Sequence, residues 1–173
     1  MTNLGYRVWQ VFQAIWGKPE ARDLDEIGQL CSPDLFQLFE LMSPAEQAHA
    51  IRVWKAVRKS RLKNPSLEIA ALLHDVGKTR RPLSVLDRVM IVLAYAFFPG
   101  RAQTWERGSL SGWRQAFTAA ANHAEWGAEL VSEAGADLLA AALVRKHQSA
   151  LPAGFSGEEA ELLKVLQQAD NQN

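Results

Sequence analysis

His74 and Asp75 stand side by side at the end of an apolar run, Ile69-Ala70-Ala71-Leu72-Leu73, and are followed by Val76, Gly77 and Lys78. Adjacent side chains on a strand point to opposite faces, whereas at a helix end they lie about 100° apart and can converge on one ion. The apolar run would bury such a helix and hold both groups on a rigid element. Gly77 is expected to end it, and Lys78 to return a cation toward the same place. The chain has four histidines. His49, His123 and His147 each fall, like His74, on or at the end of a predicted helix, and with Asp75 and Asp170 they complete a set of candidate ligands. Neutral imidazoles with carboxylates suit iron, manganese, zinc, cobalt or nickel better than calcium or magnesium. The absence of cysteine from the set argues against a structural zinc knuckle.

The elements that must position these groups are helical. Tyr6 to Trp16 carries Val8, Val11, Phe12 and Ile15 at helical spacing and is stopped by Gly17 and Pro19. Leu24 to Cys31 and Asp34 to Met42 read as two short helices, the second opened by Ser32 with Pro33 in its first turn. Ser43-Pro44-Ala45-Glu46 is a capping-box sequence, so a helix should run from there to Ser60, with His49 in its second turn on a face shared with Val53. Alone, a histidine on such a face reads as a satisfied core residue. Pro65-Ser66 restarts the chain toward the His-Asp pair, and Ser84 to Phe98 forms the next helix. Its apolar stretch Val89 to Pro99 is far short of the roughly 20 residues that span a bilayer, and it is expected to be buried.

Pro99 to Gly112 reads as a loop containing Arg101, Trp105 and Arg107, a place for substrate specificity. Trp113 to Ser132 reads as a long helix carrying His123, with Gly135 ending it. Asp137 is a plausible cap for Leu138 to His147, which puts His147 at a helix end. A turn at Pro152 to Ser156 follows. Ser156-Gly157-Glu158-Glu159 resembles a second capping box, opening a last helix with Asp170 in its final turn. There the helix dipole disfavours a carboxylate unless a cation offsets it. No alternation is long enough for a strand, so the expected fold class is all-α.

The 173 residues, 48% of them apolar, suffice for one full core and are too few for two ordinary domains. Lys plus Arg and Asp plus Glu number 19 each, which gives no sign of nucleic acid or an anionic membrane as the main partner. Cys31 is the only cysteine, which excludes an internal disulfide and fits a reducing compartment. No export signal is visible at Met1 to Tyr6, and a cytoplasmic location is expected.

The order His…His-Asp…His…His…Asp resembles the HD-domain superfamily of metal-dependent phosphohydrolases, and His74-Asp75-Val76-Gly77-Lys78 is similar to that family's central motif. The resemblance covers residues 43 to 170. It implies an HD-domain helical bundle with extra N-terminal helices, a single domain over 1–173 in which 1–42 form the extension. It further implies that His49, His74, Asp75 and Asp170 hold one metal. His123 and His147 match positions that hold a second ion in binuclear relatives, with Asp75 bridging the two; where one ion binds, they would contact the substrate phosphate. The implied cofactors are one or two divalent transition-metal ions. Asp75 and Lys78 would be the catalytic residues, with Lys78, Arg101 and Arg107 meeting the substrate. Ala124 replaces the proline of the family's His-Pro-x-x-Gly stretch, while Glu125 and Gly127 fit it. His147 is followed by Gln148, and no Gly-Tyr-Pro is present, so the cyclic-di-GMP cleavage of HD-GYP proteins is not expected.

The activity so implied is attack of metal-activated water on a nucleotide-like or other small phosphorylated substrate. Two alternatives share the resemblance. HD-fold di-iron oxygenases use the same ligand arrangement and would betray themselves by iron dependence and oxygen uptake. A non-catalytic HD signalling domain would bind metal without turning over any phosphate ester.

Overall fold

A polar side chain followed by proline opens three consecutive helices. The computed structural model describes residues 19–106, 112–151 and 156–173. After α1 (Ala21–Leu30), Ser32 accepts from the Leu35 amide at the start of α2 (Pro33–Glu40). Ser43 and Glu46 form the expected reciprocal box on α3 (Pro44–Lys59), and Asn64 accepts from the Ser66 and Leu67 amides on α4 (Pro65–Leu73). In each case proline at the first helical position lacks the amide that would have had no partner, and the cap satisfies the next ones. The helix expected over Tyr6 to Trp16, the residue Arg107 and the turn around Pro152 lie outside the described residues.

Four details depart from the sequence reading. Helix α4 ends at Leu73 with His74 as its cap, and Gly77 lies inside a 3₁₀ turn, Val76–Arg80. What Gly77 supplies is therefore space rather than a stop. Helix α5 (Val85–Phe97) is only partly buried: Leu86, Leu93 and Phe97 are exposed, and among its described side chains Ala94 is buried while Met90, Ile91 and Tyr95 pack half-buried beside it. The segment read as a loop begins instead with a short helix, α6 (Pro99–Trp105), started by Pro99. Finally, no box forms at Ser156. Gly157, at φ 105°, is the cap residue of α9 (Glu158–Gln172) and makes no side-chain cap bond, because a glycine has none to offer.

Between these lie α7 (Gln115–Glu133), closed by Gly135 at φ 84°, and α8 (Leu138–Lys146), capped by Asp137 accepting from the Ala140 amide. The protein is all-helical, with no strand among the described residues. One apolar core runs from Ile27 through Phe39, Trp54, Leu72 and Leu143 to Leu166, so α1 and α2 share it with the later helices. Each such fully buried side chain contributes about 1.5–3 kcal/mol relative to exposure. A smaller cluster of Ala94, Ala102 and Phe117 fastens α5 and α6 to α7. No described helix is long and apolar enough to cross a membrane.

The core fixes the elements that meet at the His-Asp pair. Helices α3 and α4 pack together, joined also by Trp54 donating to Glu68 at 2.9 Å. The 3₁₀ turn lies against α7, and α8 and α9 both pack on α4. The last turns of α4, α8 and α9, the second turn of α3 and the middle of α7 thus face one another.

Candidate metal centre

Three histidines make the same local bond. Nδ1 of His74 donates to the Ala71 carbonyl at 3.0 Å, that of His123 to Ala120 at 2.7 Å, and that of His147 to Val144 at 2.7 Å. A carbonyl only accepts, so each Nδ1 carries the proton and each Nε2 presents a lone pair. All three Nε2 atoms are buried and have no hydrogen-bond partner. An unsatisfied buried polar atom costs about 1–3 kcal/mol, and three in one place need a common partner. The rings adjoin, with centroids 5.2 Å apart for His74 and His147 and 5.3 Å for His123 and His147. A divalent ion is the partner that fits imidazoles oriented in this way, each fixed from behind by a carbonyl.

The carboxylates complete two groups. His49, His74 and Asp170 offer ligand atoms all within 4.8 Å of one another, and so do Asp75, His123 and His147. Asp170 Oδ1 lies 3.0 Å from His49 Nε2 and 3.5 Å from His74 Nε2. Asp75 stands between the groups, with Oδ1 3.4 Å from His123 Nε2 and 3.9 Å from His147 Nε2, and Oδ2 3.6 Å from His74 Nε2. One oxygen thus faces each side. The adjacent pair can do this because His74 caps α4 and Asp75 begins the 3₁₀ turn, so the chain changes direction between them.

The charges are arranged to keep the carboxylates ionised. Burial opposes ionisation of Asp75, but the Lys78 ammonium at 2.5 Å and His74 hold its carboxyl well below the usual range. Burial likewise opposes ionisation of Asp170, and the hydrogen bond with His49, together with the neighbouring His74, outweighs it, lowering its pKa. These are the offsets that a carboxylate at a helix C-terminus requires. Burial also disfavours the His74 imidazolium, yet Asp75 and Asp170 raise its pKa. His147, lacking so close a carboxylate, is pushed by burial down to about 3, with His74 adding repulsion.

The remaining candidates are placed differently. Lys78 is beside the centre, its side chain 22% exposed. Arg101 is exposed on α6, and among the described residues no ion pair joins it to the centre. Arg107 lies outside the described residues. Arg80 is drawn away by Glu129 of α7 at 2.6 Å. Sequence reasoning missed the contact of Gly77 with α7. A Cβ there would lie 1.9 Å from the His123 carbonyl oxygen and 2.6 Å from the Gly127 nitrogen. Two glycines on elements that each carry a ligand candidate were the available signal.

Residues 47–171 match the family model described as HD domain. Neither the curated proteins nor the solved structures contain a match to the chain.

Proposed function

The chain belongs to the HD-domain family, and from that premise we propose that it is a metal-dependent phosphohydrolase acting on a small phosphorylated substrate. The observation that carries this reading is the set of three buried, unpartnered Nε2 lone pairs gathered around the two faces of Asp75. His49, His74 and Asp170 would hold one ion and His123 and His147 a second, with Asp75 shared between them. When bound, such ions supply water acidified toward neutral pH and neutralise charge on a phosphoryl group.

The protein's own side chains do the rest. Asp75 and Asp170, kept ionised by their neighbours, would balance the positive charge of the ions. Lys78 places a cation at the rim, where it stabilises charge growing on phosphoryl oxygens. The His49 and Asp170 side chains are 20% and 28% exposed, so this side of the otherwise buried centre is open to a substrate. Cys31 is buried among apolar residues, and burial raises its thiol to about 11, which removes it as a nucleophile.

The test is elemental analysis of chain purified without chelator or histidine tag, beside Asp75→Ala, followed by a panel of phosphate esters with oxygen uptake as control. Transition metal in the wild type that is lost in the variant, with ester hydrolysis and no oxygen consumption, is the expected result. Absence of metal after reconstitution with manganese, iron or nickel would sink the enzyme reading. Iron-dependent oxygen uptake would replace it with an oxygenase.

A further inference from the structure

Helix α5 arranges its polar and apolar residues in the reverse of the order a surface helix requires. Its only charged side chains, Asp87 and Arg88, are both engaged: Asp87 accepts from the Ser84 amide at 2.9 Å, and Arg88 donates to Glu46 of α3 at 2.7 Å. Leu86, Val89, Leu93, Ala96 and Phe97 recur at helical spacing on the other side and are all exposed, Leu86 by 76% and Phe97 by 67%. Every exposed side chain described on this helix is therefore apolar, on the face where charges normally meet water. The row continues past the helix end. Phe98, which joins α5 to α6, is exposed, and so is Trp113, whose ring stands edge-on to Trp105 of α6 at 5.0 Å. Single exposed apolar residues are ordinary, whereas a continuous row of this kind marks a surface that meets something other than water.

Charge decides which partner fits. Arg101 of α6 and Arg114, beside Trp113, are exposed at the aromatic end of the row, and among the described residues neither is in an ion pair. The Arg114 guanidinium lies over the Trp113 ring, 5.1 Å from its centroid. The nearby carboxylates are already occupied, Asp87 by Ser84 and Glu106 by the Tyr95 hydroxyl. A second copy of the chain, presenting the same face, would bring up arginines with no free carboxylate to meet them. A phospholipid surface supplies both complements: phosphates for the arginines, and an acyl boundary for the leucines and phenylalanines, with the aromatic rings at headgroup level. With 13 residues α5 is about 20 Å long, and it would lie in the plane of the interface rather than cross it. We propose that the exposed face of α5, with Phe98 and Trp113, docks the protein on an anionic lipid surface. Because the 19 cations of the chain are balanced by 19 anions, attachment comes chiefly from apolar burial and withstands moderate salt, with Arg101 and Arg114 supplying the preference for anionic lipid. The inference is independent of the hydrolase reading.

The test is co-sedimentation of the 173-residue chain with vesicles of phosphatidylcholine alone, or of phosphatidylcholine mixed equally with phosphatidylglycerol, in about 0.15 M salt. The wild type should partition onto the mixed vesicles, and Leu93→Gln/Phe97→Gln should weaken that partitioning by about tenfold or more. Both positions are exposed, so this variant should keep the wild-type unfolding temperature, which separates loss of docking from loss of fold. Arg101→Gln/Arg114→Gln should lower the affinity for mixed vesicles toward that for phosphatidylcholine alone. A wild type that stays in the supernatant with both kinds of vesicle, or a Leu93→Gln/Phe97→Gln variant that binds as the wild type does, would overturn the docking face. Self-association in analytical ultracentrifugation that the same variant abolishes, without vesicle binding, would assign the face to a second copy instead. Equal affinity of the wild type for the two kinds of vesicle would overturn the role of the arginines. Metal binding and turnover are not read in this assay, so its failure would leave the hydrolase reading as it stands.

Discussion

A Cβ on Gly77 would lie 1.9 Å from the carbonyl oxygen of His123, so the backbone of the 3₁₀ turn touches the backbone of α7 directly beside the two ligand candidates Asp75 and His123. Both nearby partners, the His123 oxygen and the Gly127 nitrogen, are backbone atoms held in a helix and cannot rotate aside. Gly77→Ala must therefore separate the turn from α7. It should destabilise the protein by about 1–3 kcal/mol or more, the range for overpacking, and weaken metal binding. Gly127→Ala would meet the Val144 Cγ1 at 3.1 Å and the Gly77 nitrogen at 3.3 Å, both longer approaches than those at Gly77, and should be milder. Thermal unfolding and metal titration check this, and wild-type values for Gly77→Ala would remove the contact from the account.

Asp75 faces both ligand groups, whereas His49 belongs to one and His147 to the other. Elemental analysis should find about two ions in the wild type and about one in His147→Ala or His49→Ala, with Asp75→Ala losing both, since each ion depends on the shared carboxylate. Full occupancy in Asp75→Ala would show that the carboxylate bridges nothing.

Lys78 touches Asp75 at 2.5 Å but offers no lone pair to an ion while charged. Lys78→Met should thus retain metal and lose turnover, by about 10²-fold in kcat as for other single groups that stabilise developing negative charge. A variant that loses metal in proportion to activity would make Lys78 a structural counter-ion to Asp75.

The convergence of four histidines and two aspartates was legible in sequence because helix ends and helix faces are set by local signals. Ser43-Glu46, Asp137 and Gly135 fix the registers of α3, α7 and α8, and with them His49, His123 and His147. The aspartate in the last turn of α9 declared its need for offsetting partners, and His49 and His74 Nε2 stand 3.0 and 3.5 Å from its Oδ1. What was not legible depends on neighbours distant in sequence. The hydropathy of α5 gives no hint that Leu86 and Phe97 remain in solvent, because that is decided by which helix lies opposite. Gly77 was read as a stop because spacing alone does not reveal a crossing helix. The Ser156-Glu159 pattern failed as a box because Gly157 intervenes as the cap with a positive φ.

The metal-free protein should lose stability on mild acidification through His147. In the unfolded chain this histidine titrates near its ordinary 6.5, whereas in the folded protein burial lowers it to about 3. Between these values the unfolded state binds the extra proton, so stability falls as pH drops, by up to roughly 1.4 kcal/mol per pH unit. His74 has the opposite sign. Its pKa is raised despite burial, so its contribution is complete below 6.5 and fades only as pH rises through the folded value. Asp75 and Asp170 have depressed folded values, so their contribution is present above 3.8 and is lost as pH falls below it. The window between 6.5 and 3.8 therefore isolates His147 from these three groups. Denaturant unfolding of chelated protein at pH about 4.5, 5.5 and 6.5 should give a steeper decline for the wild type than for His147→Gln. Parallel declines would mean that His147 takes up its proton without unfolding, and that the interior around it is less closed to charge than its burial implies.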